Sequence, residues 1–178
     1  MSKICIRKVS ITKAGTQAIV NAANEQLSQG GGVCGHIFEA AGADRLQAAC
    51  QKIGECRTGD AVITPGYDLC EYIIHAVGPI WFNGLSGEPQ LLYGAYRSSL
   101  NLARENHIAS IAFPLISAGI FGYPIGKAWR KALQACDDWM KKNADYDIDI
   151  VFAVIDEKIL DQGRSIAEDL GIEIEDEL

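Results

Sequence analysis

Short apolar segments rich in isoleucine and valine alternate with longer amphipathic segments along the whole chain. The apolar segments predict strands at residues 4–11, 16–22, 60–64, 72–77, 108–116 and 148–155. The amphipathic segments predict helices at residues 35–53, 89–106, 124–143 and 161–170. Strands of this kind separated by helices favour a largely parallel sheet covered on both faces. We therefore predict an α/β fold, a three-layer α/β/α sandwich with a mixed, mostly parallel sheet whose first strand can pair antiparallel at an edge.

One domain is expected over residues 1–178, because no linker, low-complexity tract or internal repeat divides the chain. Its acidic end, residues 173–178, is expected to be solvated. A net charge of −7 argues against strong binding to nucleic acid or to an anionic membrane. The negative net charge does not exclude an anionic small-molecule ligand, because backbone N–H groups can bind phosphate. No apolar run is long enough to span a bilayer and no signal peptide is evident, so we expect a cytoplasmic protein.

The six cysteines and three histidines form no recognisable metal site in the sequence. No two cysteines have the C-x-x-C spacing, and no histidine stands at metal-ligand spacing from one of them. We interpret the cysteines as reduced thiols of the core, and His75, inside an apolar strand, as a hydrogen-bonded core histidine. Neither a metal nor a cofactor is expected.

Residues 21–35 follow a predicted strand and lead into a predicted helix, which is a position where α/β proteins bind ligands. Three consecutive glycines, residues 30–32, let a ligand approach the main chain closely. The helix start that follows offers free N–H groups and a positive dipole end, which suit a diphosphate. The alternative is a flexible surface turn. The formal G-x-G-x-x-G match is interpreted as accidental, because residues 24–29 separate the strand from the glycines.

Residues 114–124 join the most apolar strand to the clearest helix and form a second candidate loop. Its small residues again expose backbone N–H groups, at 117–119 and at Gly122. Phe121 stands beside them, and its ring can cover the apolar face of a sugar or base. The alternative is that Phe121 folds back into the core.

Five motifs along the chain occur together in one order: AIVNAAN, GGGVCG, TGDAVITPGY, YIIHAVGPIW and SIAFPLISAGIFGYP. In that combination the chain resembles the macro domain family over residues 4–156. The resemblance implies a mixed sheet between helices, with a cleft at its crest for ADP-ribose or a derivative. It also implies an ADP-ribosylated protein as a further partner.

By this resemblance, the two glycine-rich loops clamp the diphosphate from opposite sides. Asn24 faces the distal ribose and Phe121 packs on it, while the Ile11 backbone and Asp156 lie on the adenine side. The ligand-binding residues implied in this way are Ser10, Ile11, Asn24, Gly31, Gly32, Val33, Cys34, Gly35, Ser117, Ala118, Gly119, Ile120, Phe121, Gly122 and Asp156.

Two departures from the family pattern bear on function. Ser10 stands where many members have an aspartate that accepts from adenine, so we expect a weaker, uncharged hydrogen bond there. Cys34 stands where hydrolytic members have an aspartate, and Phe38 where they have a histidine. Asn24 and Cys34 are the candidate catalytic residues, but a neutral thiol is a poor general base. Binding is therefore favoured over hydrolysis.

Two enzymatic alternatives remain open beside a binding module. The first is a hydrolase that removes ADP-ribose from acidic side chains or deacetylates O-acetyl-ADP-ribose, with Asn24 holding the water. The second is a dinucleotide-dependent oxidoreductase. A purely structural scaffold is the weakest alternative, because both loops are built for a ligand.

Overall fold

The computed structural model describes residues 1–176. Six strands form one sheet in the order β1-β6-β5-β2-β4-β3. They are β1 (Lys3–Lys8), β2 (Ala18–Ala22), β3 (Ala61–Pro65), β4 (Tyr72–Ala76), β5 (Ser110–Phe113) and β6 (Asp149–Val154). All neighbours pair in parallel except β3 and β4. The mixed, mostly parallel sheet is thus confirmed.

The expectation for the first strand was wrong in one respect. β1 does lie at an edge, but it pairs in parallel with β6. The antiparallel strand is β3, at the opposite edge. Only residues 66–71 separate β3 from β4, which is enough for a hairpin and too short for the crossover that parallel strands require.

Five helices cover the sheet. They are α1 (Gly32–Ala41), α2 (Ala43–Ile53), α3 (Glu88–Glu105), α4 (Ile125–Lys142) and α5 (Glu157–Asp169). The helix predicted over 35–53 is two helices, because Gly42 between them has φ 106°. A Cβ at Gly42 would also lie 3.1 Å from the Arg45 guanidinium. α5 begins four residues earlier than predicted, because the Asp156 carboxylate caps it by accepting the N–H groups of Lys158 and Ile159.

The two faces of the sheet bury separate cores. Along β6, Ile150 and Phe152 pack with α3, α4 and α5, while Val151 between them packs on the other face with α1 and α2. Successive side chains of a strand point to opposite faces, so a strand buried on both sides carries apolar residues at consecutive positions. Trp129 of α4 and Phe38 of α1 are among the largest fully buried side chains of their respective layers. The arrangement is an α/β/α sandwich.

Several expected strands end early, and this matters for the site. Residues 9–11 and 114–116 were assigned to strands, but they lie in the connections that leave β1 and β5. The acidic end was also expected to be solvated. Glu173 and Asp176 are exposed, while the Glu175 N–H donates to the Ile4 carbonyl at 2.8 Å and forms a single bridge with the edge of β1. The rest of the predicted solvated end, residues 177–178, lies outside the described residues.

Two kinds of feature are absent from residues 1–176. None of the helices is long and apolar enough to cross a membrane. No group of three or more histidine, cysteine, aspartate or glutamate side chains in this range is arranged to hold a metal ion.

Candidate ligand-binding site

A cleft of about 380 Å³ opens where β2, β4 and β5 end. Because these three strands are parallel neighbours, their carboxyl ends meet at one edge of the sheet, and the loops that leave them form the cleft walls. The lining residues are Ala22, Ala23, Asn24, Gly30, Gly31, Gly32, Val33, Cys34, Gly78, Pro114, Leu115, Ile116, Ser117, Gly119, Ile120 and Phe121.

The first wall is the connection from β2 to α1. Leu27 in this connection is almost fully buried. Gln47 of α2 forms hydrogen bonds with the same connection. The Gln47 side chain accepts the Gln29 N–H at 2.9 Å and donates to the Leu27 carbonyl at 3.1 Å. The glycine-rich segment is therefore held at its beginning by buried and hydrogen-bonded residues, which argues against the alternative of a flexible turn.

The amino-terminal end of α1 faces the cleft. Gly32, Val33 and Cys34 form its first turn and all line the cavity. N–H groups in the first turn of a helix have no acceptor within that helix, and the helix dipole places partial positive charge there. This end of α1 is therefore suited to an anion.

The second wall is the connection from β5 to α4. The buried Tyr96 hydroxyl fixes it from below, since it accepts the Ile116 N–H at 2.9 Å and donates to the Pro114 carbonyl at 3.3 Å. The N–H groups of Gly119, Ile120 and Phe121 donate to no protein acceptor in the described part of the chain. They can therefore donate to a ligand.

Ser117 has two unusual features that both concern the cleft. Its φ is 67°, a left-handed conformation that is uncommon outside glycine. Its hydroxyl is buried and makes no hydrogen bond within residues 1–176. A Cβ at Gly78 would lie 2.2 Å from this hydroxyl, so Gly78 is required for the close approach of the two loops. Sequence reasoning treated Gly78 only as the end of a strand, since nothing local signals its contact with residue 117.

The described residues that line the cleft carry no charged side chain. A bound phosphate would therefore be held by backbone N–H groups and by hydroxyl or amide side chains, which is compatible with the net charge of −7.

Nine of the predicted ligand-binding residues line the cleft together. They are Asn24, Gly31, Gly32, Val33, Cys34, Ser117, Gly119, Ile120 and Phe121. Phe121 is half-buried at the wall, which supports the prediction of a ring available to a ligand over the core alternative. Sequence reasoning did not assign the apolar floor, Ala22, Ala23, Leu115 and Ile116, because these residues looked like ordinary ends of buried strands.

Six predicted residues do not line this cavity. They are Ser10, Ile11, Gly35, Ala118, Gly122 and Asp156. The Ser10 hydroxyl shares a hydrogen bond with Thr12, and the Asp156 carboxylate is committed to capping α5. Gly35 faces its own loop, where an added Cβ would lie 2.9 Å from the Gly30 carbonyl. The loops after β6 and β1 still lie at the same end of the sheet as the cleft, one and two strands beyond β5.

The two candidate catalytic residues both lie in the first wall, but each is already hydrogen-bonded. The Asn24 amide nitrogen donates to the Ser28 carbonyl and hydroxyl, both at 3.2 Å, and its oxygen accepts the Ser28 N–H at 3.1 Å. The Cys34 sulfur accepts the Gly30 N–H at 3.4 Å, while its thiol donates to the Ser28 carbonyl at 3.9 Å. The described residues that line the cleft include no carboxylate and no histidine, so this arrangement contains no ready general base.

A buried polar network supports the floor of the cleft. Asn21, in β2 next to the lining residue Ala22, bonds His75 of β4 at 3.1 Å, and the other His75 nitrogen lies 3.0 Å from the Thr64 hydroxyl. Burial lowers the pKa of His75 to about 4 and raises the pKa of the neighbouring Cys50 thiol to about 11. Both groups are therefore neutral at physiological pH. His75 is the hydrogen-bonded core histidine that its apolar strand predicts.

We expect the protein to lose stability as the pH falls through the range between the two pKa values of His75. The ordinary value of 6.5 applies to the unfolded chain, and the folded value is about 4. Below pH 6.5 His75 is protonated in the unfolded chain but stays neutral in the folded protein. The free energy of unfolding should therefore fall by about 2 kcal/mol between pH 7 and pH 5.

Urea unfolding at both pH values checks this expectation. His75→Gln, which cannot titrate, should be less stable at pH 7 but should show a pH dependence smaller by about 2 kcal/mol. Equal pH dependence in the two proteins would show that His75 is not the group responsible.

Comparison with known proteins identifies the fold. The family model described as Macro domain matches residues 20–132 of the chain. The chain belongs to the macro domain family. Its glycine-rich walls are thus the loops on which the sequence resemblance was based.

Relatives of this macro domain include an enzyme and ligand complexes. The chain is 46% identical over 147 residues to a protein of Salmonella gallinarum named O-acetyl-ADP-ribose deacetylase, covering 80% of this chain and 82% of that protein. The Oceanobacillus iheyensis macrodomain with ADP has a TM-score of 0.87 and 37% identity, covering 93% of this chain and 90% of the other. The Trypanosoma brucei macrodomain in complex with ADP-ribose has a TM-score of 0.84 and 34% identity, covering 91% and 68%.

Other structures of the Oceanobacillus iheyensis protein carry single substitutions of an asparagine, a glycine and an aspartate. These three residues have the order and spacing of Asn24, Gly31 and Cys34 in this macro domain. That agreement matches the sequence-based expectation that Cys34 stands at an aspartate position.

Proposed function

We propose that this macro domain binds ADP-ribose or a derivative in the cleft between its two glycine-rich loops. The observation that carries the proposal is the set of free N–H groups on both walls. The first turn of α1 presents them from one side, and Gly119, Ile120 and Phe121 present them from the other. Two facing rows of donors with no charged side chain between them suit a diphosphate.

The positions of the remaining parts of the ligand are those that the resemblance to the macro domain family implies. The distal ribose lies toward Asn24 and Phe121, at the walls formed after β2 and β5. The adenine lies toward the loops after β1 and β6, beside Ser10, Ile11 and Asp156, which continue the same sheet edge. The relatives with bound ADP and ADP-ribose support the class of ligand.

Calorimetry with ADP-ribose and AMP tests the proposal. We expect a micromolar dissociation constant for ADP-ribose, about −8 kcal/mol. AMP should bind at least tenfold more weakly, about 1.4 kcal/mol, because it lacks the second phosphate and the distal ribose. Equal affinity for the two ligands would show that the facing loops do not clamp a diphosphate, and no measurable binding of ADP-ribose would overturn the proposal itself.

Hydrolysis of the same ligand class is the second candidate function. It is favoured by the place of Asn24 and Cys34 in the cleft and by the relatives named O-acetyl-ADP-ribose deacetylase. The lack of a carboxylate or histidine among the described lining residues opposes it. We therefore propose a binding module for ADP-ribose and ADP-ribosylated protein whose own turnover is slow.

A further inference from the structure

Four large apolar side chains project into solvent from the two loops that meet at the mouth of the cleft. Ile80, Phe82 and Leu85, which follow β4, are 67%, 78% and 89% exposed, and Ile120 is 85% exposed. We call these four residues the apolar rim. Single exposed apolar residues need no explanation, but several on adjoining loops mark a surface that another molecule covers.

The apolar rim is continuous with the cleft. The Trp81 N–H donates to the Phe121 carbonyl at 2.8 Å, so the loop after β4 is joined to the second wall. The Trp81 ring packs against Tyr123 with the centroids 4.7 Å apart. Ile120 belongs to both regions, since it lines the cavity and is also exposed.

The loop that carries most of the rim is held rigidly by a buried carboxylate. Glu88 accepts the N–H groups of Phe82, Asn83, Gly84 and Ser86 at 2.7–3.0 Å. Burial of this carboxylate opposes its ionisation, but the backbone donors prevail and lower its pKa to about 2. The backbone that carries these apolar side chains is thus held in place, and a partner need not order the loop in order to bind it.

The position of the rim along the sheet indicates what covers it. Adenine is assigned to the loops after β1 and β6, and β4 lies on the other side of β2 from them. The rim therefore borders the ribose end of the cleft, where a group attached to ADP-ribose would leave the cavity. In addition, Lys127 lies 5.8 Å over the Trp81 ring and places a positive charge beside the rim, although the chain as a whole is acidic.

We infer that the apolar rim binds the polypeptide to which ADP-ribose is attached, and that it selects sites with an apolar and an acidic residue beside the modified one. This inference rests on the proposed function, because it assumes that ADP-ribose occupies the cleft. It adds a second contact that free ADP-ribose does not make.

Binding of three probes tests the inference. They are free ADP-ribose, a peptide with one non-hydrolysable ADP-ribosyl group flanked by leucine and glutamate, and the same peptide flanked by glycine and serine. The parent protein should bind the leucine–glutamate peptide at least fivefold more tightly than the other two. The double variant Phe82→Ser/Leu85→Ser should lose that advantage and bind free ADP-ribose within twofold of the parent. Ile53→Ser, which changes an exposed apolar residue outside the cleft lining, is the matched control and should behave as the parent.

Three outcomes would overturn the inference. One is equal affinity of the parent for both peptides, and another is a double variant that keeps the parent's preference. The third is a change in the oligomeric state of the ligand-free protein on the double substitution, which would make the rim a contact between copies of the chain. If the parent fails to bind free ADP-ribose, the proposed function fails first and the result is distinguishable from these.

Discussion

Gly119→Glu should abolish most ADP-ribose binding without unfolding the protein. A Cβ at Gly119 meets no atom within 4 Å, and this glycine does not have the left-handed backbone that excludes side chains. The glutamate therefore fits, but it brings a negative charge beside the N–H groups of Gly119, Ile120 and Phe121, where the diphosphate is proposed to lie. We expect at least a hundredfold loss of affinity, about 2.8 kcal/mol.

Gly119→Gln is the control that separates charge from bulk. It has the shape of glutamate without the charge, so it should lose affinity by about tenfold, which corresponds to about 1.4 kcal/mol. Calorimetry gives the affinities, and thermal unfolding should show midpoints close to the parent for both variants. A glutamate variant that binds like the parent would show that this loop does not hold the phosphates.

The sheet and its layers could be predicted because the local order of apolar and polar residues indicates which side chains are buried. β6 is apolar at every position from Ile150 to Val154, and such a continuous run indicates a strand covered on both sides. The edge strands were predicted less well. Whether β1 pairs in parallel or antiparallel depends on the path of the whole chain, and the pairing of Glu175 with β1 joins residues from opposite ends of the sequence.

The same limit applies to the cleft. Gly31 and Gly119 stand in segments whose composition indicates a phosphate loop. Gly78 is different, because its role depends on Ser117, which approaches it from a loop that is distant in sequence. The hydrogen bonds of Asn24 and Cys34 with Ser28 also could not be predicted, since they depend on the folded path of the first wall. Residue types therefore indicated the place of the site, while tertiary contacts determine which groups are free to act in it.

Cys34→Asp should convert slow turnover into faster hydrolysis. In the parent protein the described residues that line the cleft include no carboxylate that could accept a proton from water. An aspartate at this position would place a carboxylate in the cleft at the point where hydrolytic macro domains have one. General-base assistance of this kind contributes about 10²–10⁴-fold. We therefore expect at least a hundredfold rise in single-turnover release of acetate from O-acetyl-ADP-ribose and of ADP-ribose from a modified glutamate peptide.

Three further variants determine what such a rise would mean. Cys34→Asn has nearly the shape of aspartate without a base, so it should remain as slow as the parent, and Cys34→Ala should leave both binding and turnover almost unchanged. Asn24→Ala should reduce any remaining turnover, because the Asn24 amide is the other polar group of the first wall that can hold a water molecule.

An aspartate variant no faster than the asparagine variant would show that the missing carboxylate is not what limits hydrolysis. If instead the parent turns over quickly and Cys34→Ala abolishes that activity, the thiol takes part in the reaction and the protein is an enzyme rather than a binding module.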